Sequence, residues 1–199
     1  PSGVPTYKQM ILRISQIAVY PVKSLAAGYP NRVRVVQTGL DHDREWMIVD
    51  RDGVFLTQRQ HAEMACIGVA VGEDVLRLQI PRHEAVEIPV IESDVTSEVR
   101  VWNDRCHAVD QVDYAAAILS DFLGRRCRLV RMSPDSRRML KARGRSVPRP
   151  RLGFVDSYPI TLISDQSLAD LNSRLDIPVE MNRFRPNLVV RGGSPFQED

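Results

Sequence analysis

The segment Phe184-Arg185-Pro186-Asn187 combines residue types that suit the binding of an anion. Arg185 offers a planar fork of donors, Asn187 offers an amide donor and acceptor, and the proline between them limits their motion. The segment opens an apolar run, 188–190, that we predict to be a strand. A surface arginine beside the start of a strand is the simpler interpretation, and these four residues alone favour it.

Four further clusters place cations, amides or hydroxyls at predicted strand ends or turns. They are Lys23-Ser24, Asp43-Arg44, Gln58-Arg59 and Ser157-Tyr158. Lysine is a mobile charge for phosphate and serine is a hydroxyl donor. A helix predicted to begin near Ser164 could also hold a phosphate on its backbone N–H groups. Each feature has an ordinary explanation as well: solvation for the lysine, local pairing with Asp41 or Asp43 for Arg44, and self-capping for the helix.

The clusters contain no paired carboxylates and no Ser-His-Asp set, so the sequence names no catalytic residue. The four histidines stand in turns or at polar strand edges, at positions 42, 61, 83 and 107. Cations and hydroxyls without a nucleophile predict a holder for a large anionic cofactor that carries the chemistry itself. No CxxC or His-x-x-x-His spacing appears, so we do not expect a zinc site.

The composition is typical of a soluble protein and not of a nucleic-acid binder. The chain has 199 residues, 43% of them hydrophobic, and a net charge of +2. The odd cysteine count, with Cys66, Cys106 and Cys127 far apart, indicates a reducing compartment, and we expect a cytoplasmic location. No apolar stretch approaches the length that spans a bilayer. The chain begins with Pro, so the native start is not visible, and residues 1–8 predict a short disordered leader.

The hydrophobic pattern predicts an α+β protein that is predominantly β. Many short strands joined by tight turns favour a barrel or a sandwich. The predicted strands are 12–20, 33–36, 46–49, 54–57, 66–71, 75–80, 99–102, 106–109 and 127–132. Turns are expected at 50–53, at 72–74 and at Asn103-Asp104.

Two helices are predicted. The first runs over 113–123, with Asp113 as N-cap, Gly124 as C-cap and an apolar face of Tyr114, Ala117, Ile118, Leu119 and Phe122. The second runs over 164–175, is capped by Ser164 or Asp165, and directs Leu168, Leu171 and Leu175 inward.

A basic segment, residues 125–151, carries eleven Lys or Arg and one acid, Asp135. A solvated, flexible loop at a domain junction is the default interpretation. The functional one is electrostatic guidance of an anionic substrate, partner or nucleic acid. No aromatic residue is interleaved before Phe154, which weakens a base-stacking role.

Taken in order, the clusters resemble the MOSC family of molybdenum-cofactor proteins. Within it they resemble the branch of the mitochondrial amidoxime reducing component and the bacterial YcbX-like proteins. The most specific stretches are Tyr20-Pro21-Val22-Lys23-Ser24 and Asn182-x-Phe184-Arg185-Pro186-Asn187. The others are 39–50, 55–59, 101–110, 122–124 and 164–172. Seven stretches in family order cover about Ile14 to Asp199.

The resemblance implies a MOSC N-terminal β-barrel-like domain at 12–131, followed by the start of a MOSC β-barrel at 132–199. It also implies the molybdenum cofactor, molybdopterin, whose pterin and phosphate would be held by seven residues. These are Lys23, Ser24, Arg44, Ser157, Tyr158, Arg185 and Asn187. The family usually has Thr-Ser where this chain has Ser157-Tyr158, so Tyr158 is a departure.

The metal ligand of that branch is a cysteine thiolate some tens of residues beyond Glu198-Asp199. None of the three cysteines stands at that position, so the resemblance assigns no metal ligand in this chain. We therefore expect a chain truncated within its second domain, in which the cofactor could be absent.

Three functions stay open at this point. The first is reduction of N-hydroxylated small molecules, with electrons from a flavin or iron–sulfur donor in a separate protein or a downstream domain. The second is a cofactor carrier or sulfur-transfer module without its own turnover. The third is a non-enzymatic binder that uses the basic segment, including Arg137, Arg138, Lys141 and Arg143; the near-neutral net charge argues against stable nucleic-acid binding.

Overall fold

The computed structural model describes residues 12–140 and 150–199. They form two compact units: a smaller one made of the residues up to Ala18 together with Ile160–Asp199, and a larger one, Val19–Pro159. The predominantly β prediction is confirmed. Neither helix of the described ranges is long and apolar enough to cross a membrane.

The strands and helices have the following bounds. The strands are β1 (Arg13–Ile17), β2 (Val35–Val36), β3 (Gly39–Leu40), β4 (Trp46–Asp50), β5 (Gly68–Val71), β6 (Val75–Gln79), β7 (Val86–Pro89), β8 (Ser97–Val101), β9 (Asp104–Asp110), β10 (Cys127–Met132), β11 (Leu162–Ser164) and β12 (Leu188–Arg191). The α-helices are α1 (Asp113–Leu123) and α2 (Asp165–Asn172), and short 3-10 helices lie at Ala62–Cys66 and Met181–Phe184.

A four-stranded antiparallel sheet, ordered β4-β10-β9-β8, lies between the two hydrophobic cores of the larger unit. Successive side chains of a strand point to opposite faces. Trp46 and Ile48 of β4 therefore enter one core, which β6 and α1 complete, while Met47 and Val49 enter the other. Phe154 is fully buried in that second core. Burial of β4 on both faces explains its unbroken apolar sequence.

Helix α1 has the predicted bounds and ends at Gly124, whose φ of 62° closes it in the left-handed conformation. Its N-cap is Val112, so the prediction of Asp113 was wrong by one residue. The predicted apolar face was right in part: Leu119 is buried and Ile118 and Phe122 pack against the core, whereas Tyr114 and Ala117 are exposed. Tyr114 is 45% exposed because its hydroxyl donates to the Glu87 carbonyl on β7 at 2.6 Å.

Two predicted strands, 54–57 and 99–102, differ from the structure because turns lie beside them. The turn at 50–53 is present, with Gly53 at φ 72°, but Val54 and Phe55 make only isolated bridges to Arg100 and Val49 and form no strand. The β8–β9 hairpin turns at Trp102-Asn103, not Asn103-Asp104, because Val101 pairs with Asp104. Trp102 takes a φ of 54° and leaves the sheet.

The smaller unit holds a three-stranded sheet ordered β1-β12-β11, in which β1 is antiparallel and β11 parallel to β12. Helix α2 begins after Ser164, as predicted, and ends at Asn172. Leu175 is therefore outside the helix and 39% exposed, so its predicted inward position was wrong. Leu168 and Leu171 are half-buried.

Candidate functional site

Lys23 carries a cation into the interior of the larger unit. Its backbone is fixed against β4, since Lys23 N donates to the Trp46 carbonyl at 2.8 Å. Its side chain is only 7% exposed. The ammonium Nζ donates to the Phe154 carbonyl at 2.8 Å and to Oδ1 of Asp156 at 2.5 Å, and it lies 5.3 Å from the centroid of the Phe55 ring.

The Lys23–Asp156 pair is ionised at neutral pH. Burial lowers the pKa of Lys23 to about 8, opposed by the charge and hydrogen bond of Asp156, while Arg138 and Arg44 lower it further. Burial acts to raise the pKa of Asp156, but Lys23 and the Trp102 hydrogen bond outweigh it and hold that pKa below its usual range. The ammonium is therefore charged near pH 7, but less firmly than an ordinary lysine.

Arg44 lies beside this pair through the backbone of Phe154. Phe154 N donates to the Arg44 carbonyl at 2.7 Å, while the Phe154 carbonyl accepts from Lys23. The Arg44 guanidinium stacks on the Tyr20 ring, 4.2 Å from its centroid, and donates to Asp43 Oδ2 at 2.6 Å. Local pairing with Asp43, the ordinary explanation, is therefore what the structure shows.

Hydrogen bonds of Ser24 and Gln58 connect the turn that contains Lys23 to the segment 56–58. Ser24 has a φ of 69°, its hydroxyl donates to the Leu56 carbonyl at 3.3 Å, and its own carbonyl accepts from Gln58 Nε2 at 2.7 Å. Arg59 projects outward and lies over the Trp102 ring, 5.1 Å from its centroid. The segment that follows the 50–53 turn is thus bound to the turn that presents Lys23.

Sequence reasoning missed two side chains of this site. Trp102 Nε1 donates to Asp156 Oδ1 at 2.8 Å, and its ring meets Phe55 edge-on with centroids 4.9 Å apart. The sequence predicted a turn at Asn103-Asp104, one residue from the observed turn, and therefore placed Trp102 in a strand. Nothing local in the sequence marks Asp156, whose partner is more than a hundred residues earlier.

Arg138 is buried, which corrects its place in an exposed basic segment. Its side chain is 3% exposed and pairs with Asp104 at 3.1 Å. The guanidinium also donates to the carbonyls of Gly153 and Val155, at 2.7 and 2.6 Å. Arg138 therefore holds the 153–156 segment in place and is not available to an external partner.

Most of the other described cations of the basic segment are engaged within the larger unit. Arg128 pairs with Asp110 and Asp113, and Arg131 pairs with Glu45 and Glu92. Arg151 donates to the Ser136 carbonyl at 3.0 Å. Lys141 and Arg143 lie outside the described residues. Arg126 and Arg137 are exposed, so few outward cations remain in the described part of the segment.

Ser157 and Tyr158 follow Asp156 and face solvent. Tyr158 is 67% exposed. Neither hydroxyl makes a hydrogen bond within 12–140 and 150–199, so both are free to meet a ligand. Five of the seven predicted cofactor residues thus belong to the larger unit, while Arg185 and Asn187 belong to the smaller.

Asn187 has a structural task inside the smaller unit. It is 1% exposed; its Oδ1 accepts from Thr161 N at 3.1 Å and its Nδ2 donates to the Ala18 carbonyl at 3.2 Å. The amide therefore joins the chain after β1 to the chain before β11. Arg185 ends the second 3-10 helix with a φ of 52° and is half-buried. Their roles toward a cofactor stay predictions.

The start of α2 is capped by the chain itself. Ser164 Oγ accepts from Ser167 N at 3.0 Å, and Glu198 Oε1 accepts from Ser164 N at 2.7 Å and from Ser167 Oγ at 2.6 Å. Burial acts to raise the pKa of Glu198, but these hydrogen bonds outweigh it and lower that pKa. A carboxylate already meets the positive end of the helix, so self-capping, the ordinary explanation, is what the structure shows.

The buried cysteines are protonated thiols. Burial raises the pKa of Cys106 to about 11 and also raises the pKa of Cys127. A metal requires the thiolate, so neither residue suits ligation. Cys66 is exposed. Among the described residues, no three His, Cys, Asp or Glu side chains come close enough to hold a metal ion.

Two known domain families match parts of this chain. The MOSC N-terminal beta barrel domain matches residues 11–126, and the MOSC domain matches residues 149–199. The chain belongs to the MOSC family. This confirms the resemblance drawn from Lys23, Arg44 and the other motifs.

The chain is similar to relatives of at least two kinds. A protein named molybdenum cofactor sulfurase, from Oryza sativa subsp. japonica, is 33% identical over 94% of this chain and 25% of its own length. The mitochondrial amidoxime reducing component 2 of Bos taurus is 30% identical over 96% of this chain and 60% of its own length. The chain spans about a quarter of the first and three-fifths of the second.

The larger unit fits one part of the molybdenum cofactor. Two largely buried cations, Lys23 and Arg44, stand beside exposed hydroxyls, which suits the phosphate of a pterin cofactor. The two buried cysteines, Cys106 and Cys127, do not suit the metal, because burial raises the pKa of each thiol. The described residues of the larger unit thus fit the anionic end of the cofactor.

Proposed function

We propose that this chain binds the molybdenum cofactor through Lys23 and Arg44, and that the full-length protein reduces N-hydroxylated substrates. The observation that carries the proposal is the Lys23 ammonium, which is 7% exposed and paired, within the described part of the chain, with the single acid Asp156. Burying a charge in this way adds little to stability and often reduces it. A binding role explains why a cation occupies that position.

The residues of the chain would bind and orient the cofactor. Lys23 would donate to a phosphate oxygen, and Arg44, held flat on Tyr20, would donate to the same group. Ser24, Ser157 and Tyr158 would add hydroxyl donors. Arg185 and Asn187 are further proposed contacts, in the smaller unit. When bound, the cofactor would supply removal of the N-hydroxyl oxygen, with electrons from a flavin or iron–sulfur donor.

The sulfurase relatives favour a second candidate function. They match 94% of this chain at up to 33% identity, as closely as the amidoxime reducing components do. In this case the chain would carry the cofactor or transfer sulfur, using the same cations but no substrate pocket. Under either function, a cytoplasmic location stays a prediction.

Cofactor loading tests the proposal directly. The full-length protein would be produced in a host that makes molybdenum cofactor, and its molybdenum and oxidised pterin would be measured against protein. The pterin content per protein of Lys23→Met should be at least ten times lower than that of Arg105→Gln. The control removes an exposed cation, 70% exposed, from the same unit. Equal loading of the two variants would rule Lys23 out, and a wild type without pterin would sink the proposal.

Turnover then separates the two functions. Reduction of benzamidoxime by the loaded full-length protein, with a chemical electron donor, would identify a reductase. Transfer of the cofactor or its sulfur to an apo-acceptor enzyme, without reduction of benzamidoxime, would identify a carrier.

A further inference from the structure

Lys23 and two of the cations near it each pair with an acidic residue. Lys23 pairs with Asp156, Arg44 with Asp43 and Arg138 with Asp104. The exposure of the three acidic side chains differs sharply: 0% for Asp43, 23% for Asp104 and 60% for Asp156. Asp156 alone of the three can turn into water without carrying its charge through the protein interior.

One oxygen of Asp156 occupies the approach to the ammonium. Oδ1 accepts from both Lys23 Nζ and Trp102 Nε1, at 2.5 and 2.8 Å. Nζ also donates to the Phe154 carbonyl and lies over the Phe55 ring, and the Lys23 side chain is 7% exposed. Asp156 is 60% exposed whereas the Phe154 carbonyl belongs to a buried residue, so the carboxylate is the partner that a ligand oxygen can replace at Nζ.

We propose that Asp156 is an intramolecular competitor for the anion site at Lys23, and that it selects phosphate dianions over monoanions. The proposal rests on the anion-binding role of Lys23 given above. In the ligand-bound form Asp156 is turned toward solvent, and its hydrogen bonds with Lys23 and Trp102 are both broken.

The preference for phosphate over acetate follows from the charge and the acceptor oxygens with which each anion replaces the Asp156 carboxylate. A tethered group competes at an effective concentration of about a millimolar or more. Acetate offers Lys23 the same single charge and the same carboxylate oxygens, so it has no advantage over Asp156. A phosphate dianion brings a second negative charge and more acceptor oxygens. The positive charges of Arg44 and Arg138 are close enough to lower the pKa of Lys23, and that of Arg59 is close enough to lower the pKa of Asp156. These three cations would attract a dianion more strongly than a monoanion.

Calorimetric titration at pH 7 with inorganic phosphate and with acetate tests this selection on the full chain. Asp156→Asn should bind phosphate about tenfold more tightly than wild type, and it should bind acetate, which wild type does not. Glu87→Gln is the matched control: it removes the same charge from a side chain 56% exposed and paired with Arg77, and should leave both affinities unchanged. Asp156→Ser is a second neutral variant with the same expectation.

Trp102 reports the displacement itself. Phosphate should change the indole emission of wild type, because the Trp102–Asp156 hydrogen bond is lost, and should change it little in Asp156→Asn. Trp102→Phe identifies the signal, since Trp46 is the only other tryptophan. Phosphate that binds wild type without altering Trp102 emission would overturn the proposal.

The variants also separate this proposal from the one it rests on. If Asp156→Asn and wild type bind phosphate equally while Lys23→Met does not, Asp156 is not a competitor but the site stands. If Lys23→Met binds phosphate as well as wild type does, both proposals fail.

Discussion

Replacing Lys23 by methionine measures what the buried ammonium costs the fold. The pKa of Lys23 falls from 10.5 to about 8 in the folded protein. At about 1.4 kcal/mol per pKa unit, the charged form is held at a cost of about 3 kcal/mol relative to the neutral form. The side chain is 7% exposed, so solvent screening does little to reduce this figure.

The cost has a defined pH dependence. Below pH 8 the lysine is charged in both the folded and the unfolded state, and folding carries the whole penalty. Between about pH 8 and 10.5 the folded state has lost its proton while the unfolded state keeps it, so stability rises with pH. Above that window both states are neutral. The stability of wild type relative to Lys23→Met should therefore rise by about 3 kcal/mol across the window.

At pH 7 we expect Lys23→Met to be more stable than wild type by about 1–3 kcal/mol. Methionine fills a similar volume without a charge, and Asp156, 60% exposed, stays solvated. The loss of a donor to the Phe154 carbonyl offsets part of the gain. Urea denaturation followed by circular dichroism from pH 7 to 11 gives the difference, and titrating groups common to both proteins cancel in it.

The pKa itself can be measured by NMR. The chain has three lysines, at positions 8, 23 and 141, so the side-chain 15N signal that disappears in Lys23→Met is assigned without ambiguity. Arg105→Met, at a side chain 70% exposed, serves as control and should show no such pH dependence. A pKa of 10 or higher, or a stability difference that stays level from pH 8 to 10.5, would refute the reasoning.

Two further predictions concern the backbone. In urea denaturation, Gly53→Ala should lower the free energy of unfolding by about 2 kcal/mol or more, and Gly124→Ala should lower it by about 1 kcal/mol. Both have positive φ, but a Cβ at Gly53 would lie 2.9 Å from the Glu98 carbonyl oxygen, whereas nothing lies within 4 Å at Gly124; equal costs would contradict this account. Asn187→Ala should cost about 1–3 kcal/mol, because the Ala18 carbonyl and Thr161 N–H lose their partner, while Asn182→Ala, on an exposed residue, should cost under about 0.5 kcal/mol.

Local signals predicted the elements that depend on local chemistry. The ends of α1 at Gly124 and the start of α2 at Ser164 are set by caps within a few residues, and β10 has the predicted bounds. The face of α1 was not predictable in the same way. Tyr114 is exposed because its partner is a carbonyl on β7, a short strand with a charged residue that the pattern did not indicate.

The site was predictable in residue type and not in pairing. Lys23 and Arg44 stood out as cations beside strand ends, but their connection runs through Phe154 and Asp156, over a hundred residues later. Arg138 was read as solvated because its neighbours are basic, whereas two carbonyls and Asp104 hold it inside. Long-range contacts of this kind depend on how the sheets pack, and local sequence patterns do not reveal that packing.

The position of β4 in the larger unit has a consequence during synthesis. Ile48 pairs with Leu129, which is made about eighty residues later, or roughly 4–16 s at 5–20 residues per second. For most of that time the apolar stretch Trp46-Met47-Ile48-Val49 has neither its sheet partner nor α1 to cover it. The nascent chain therefore presents an unpaired, aggregation-prone strand, and its yield in cells should depend on chaperones that hold emerging chains.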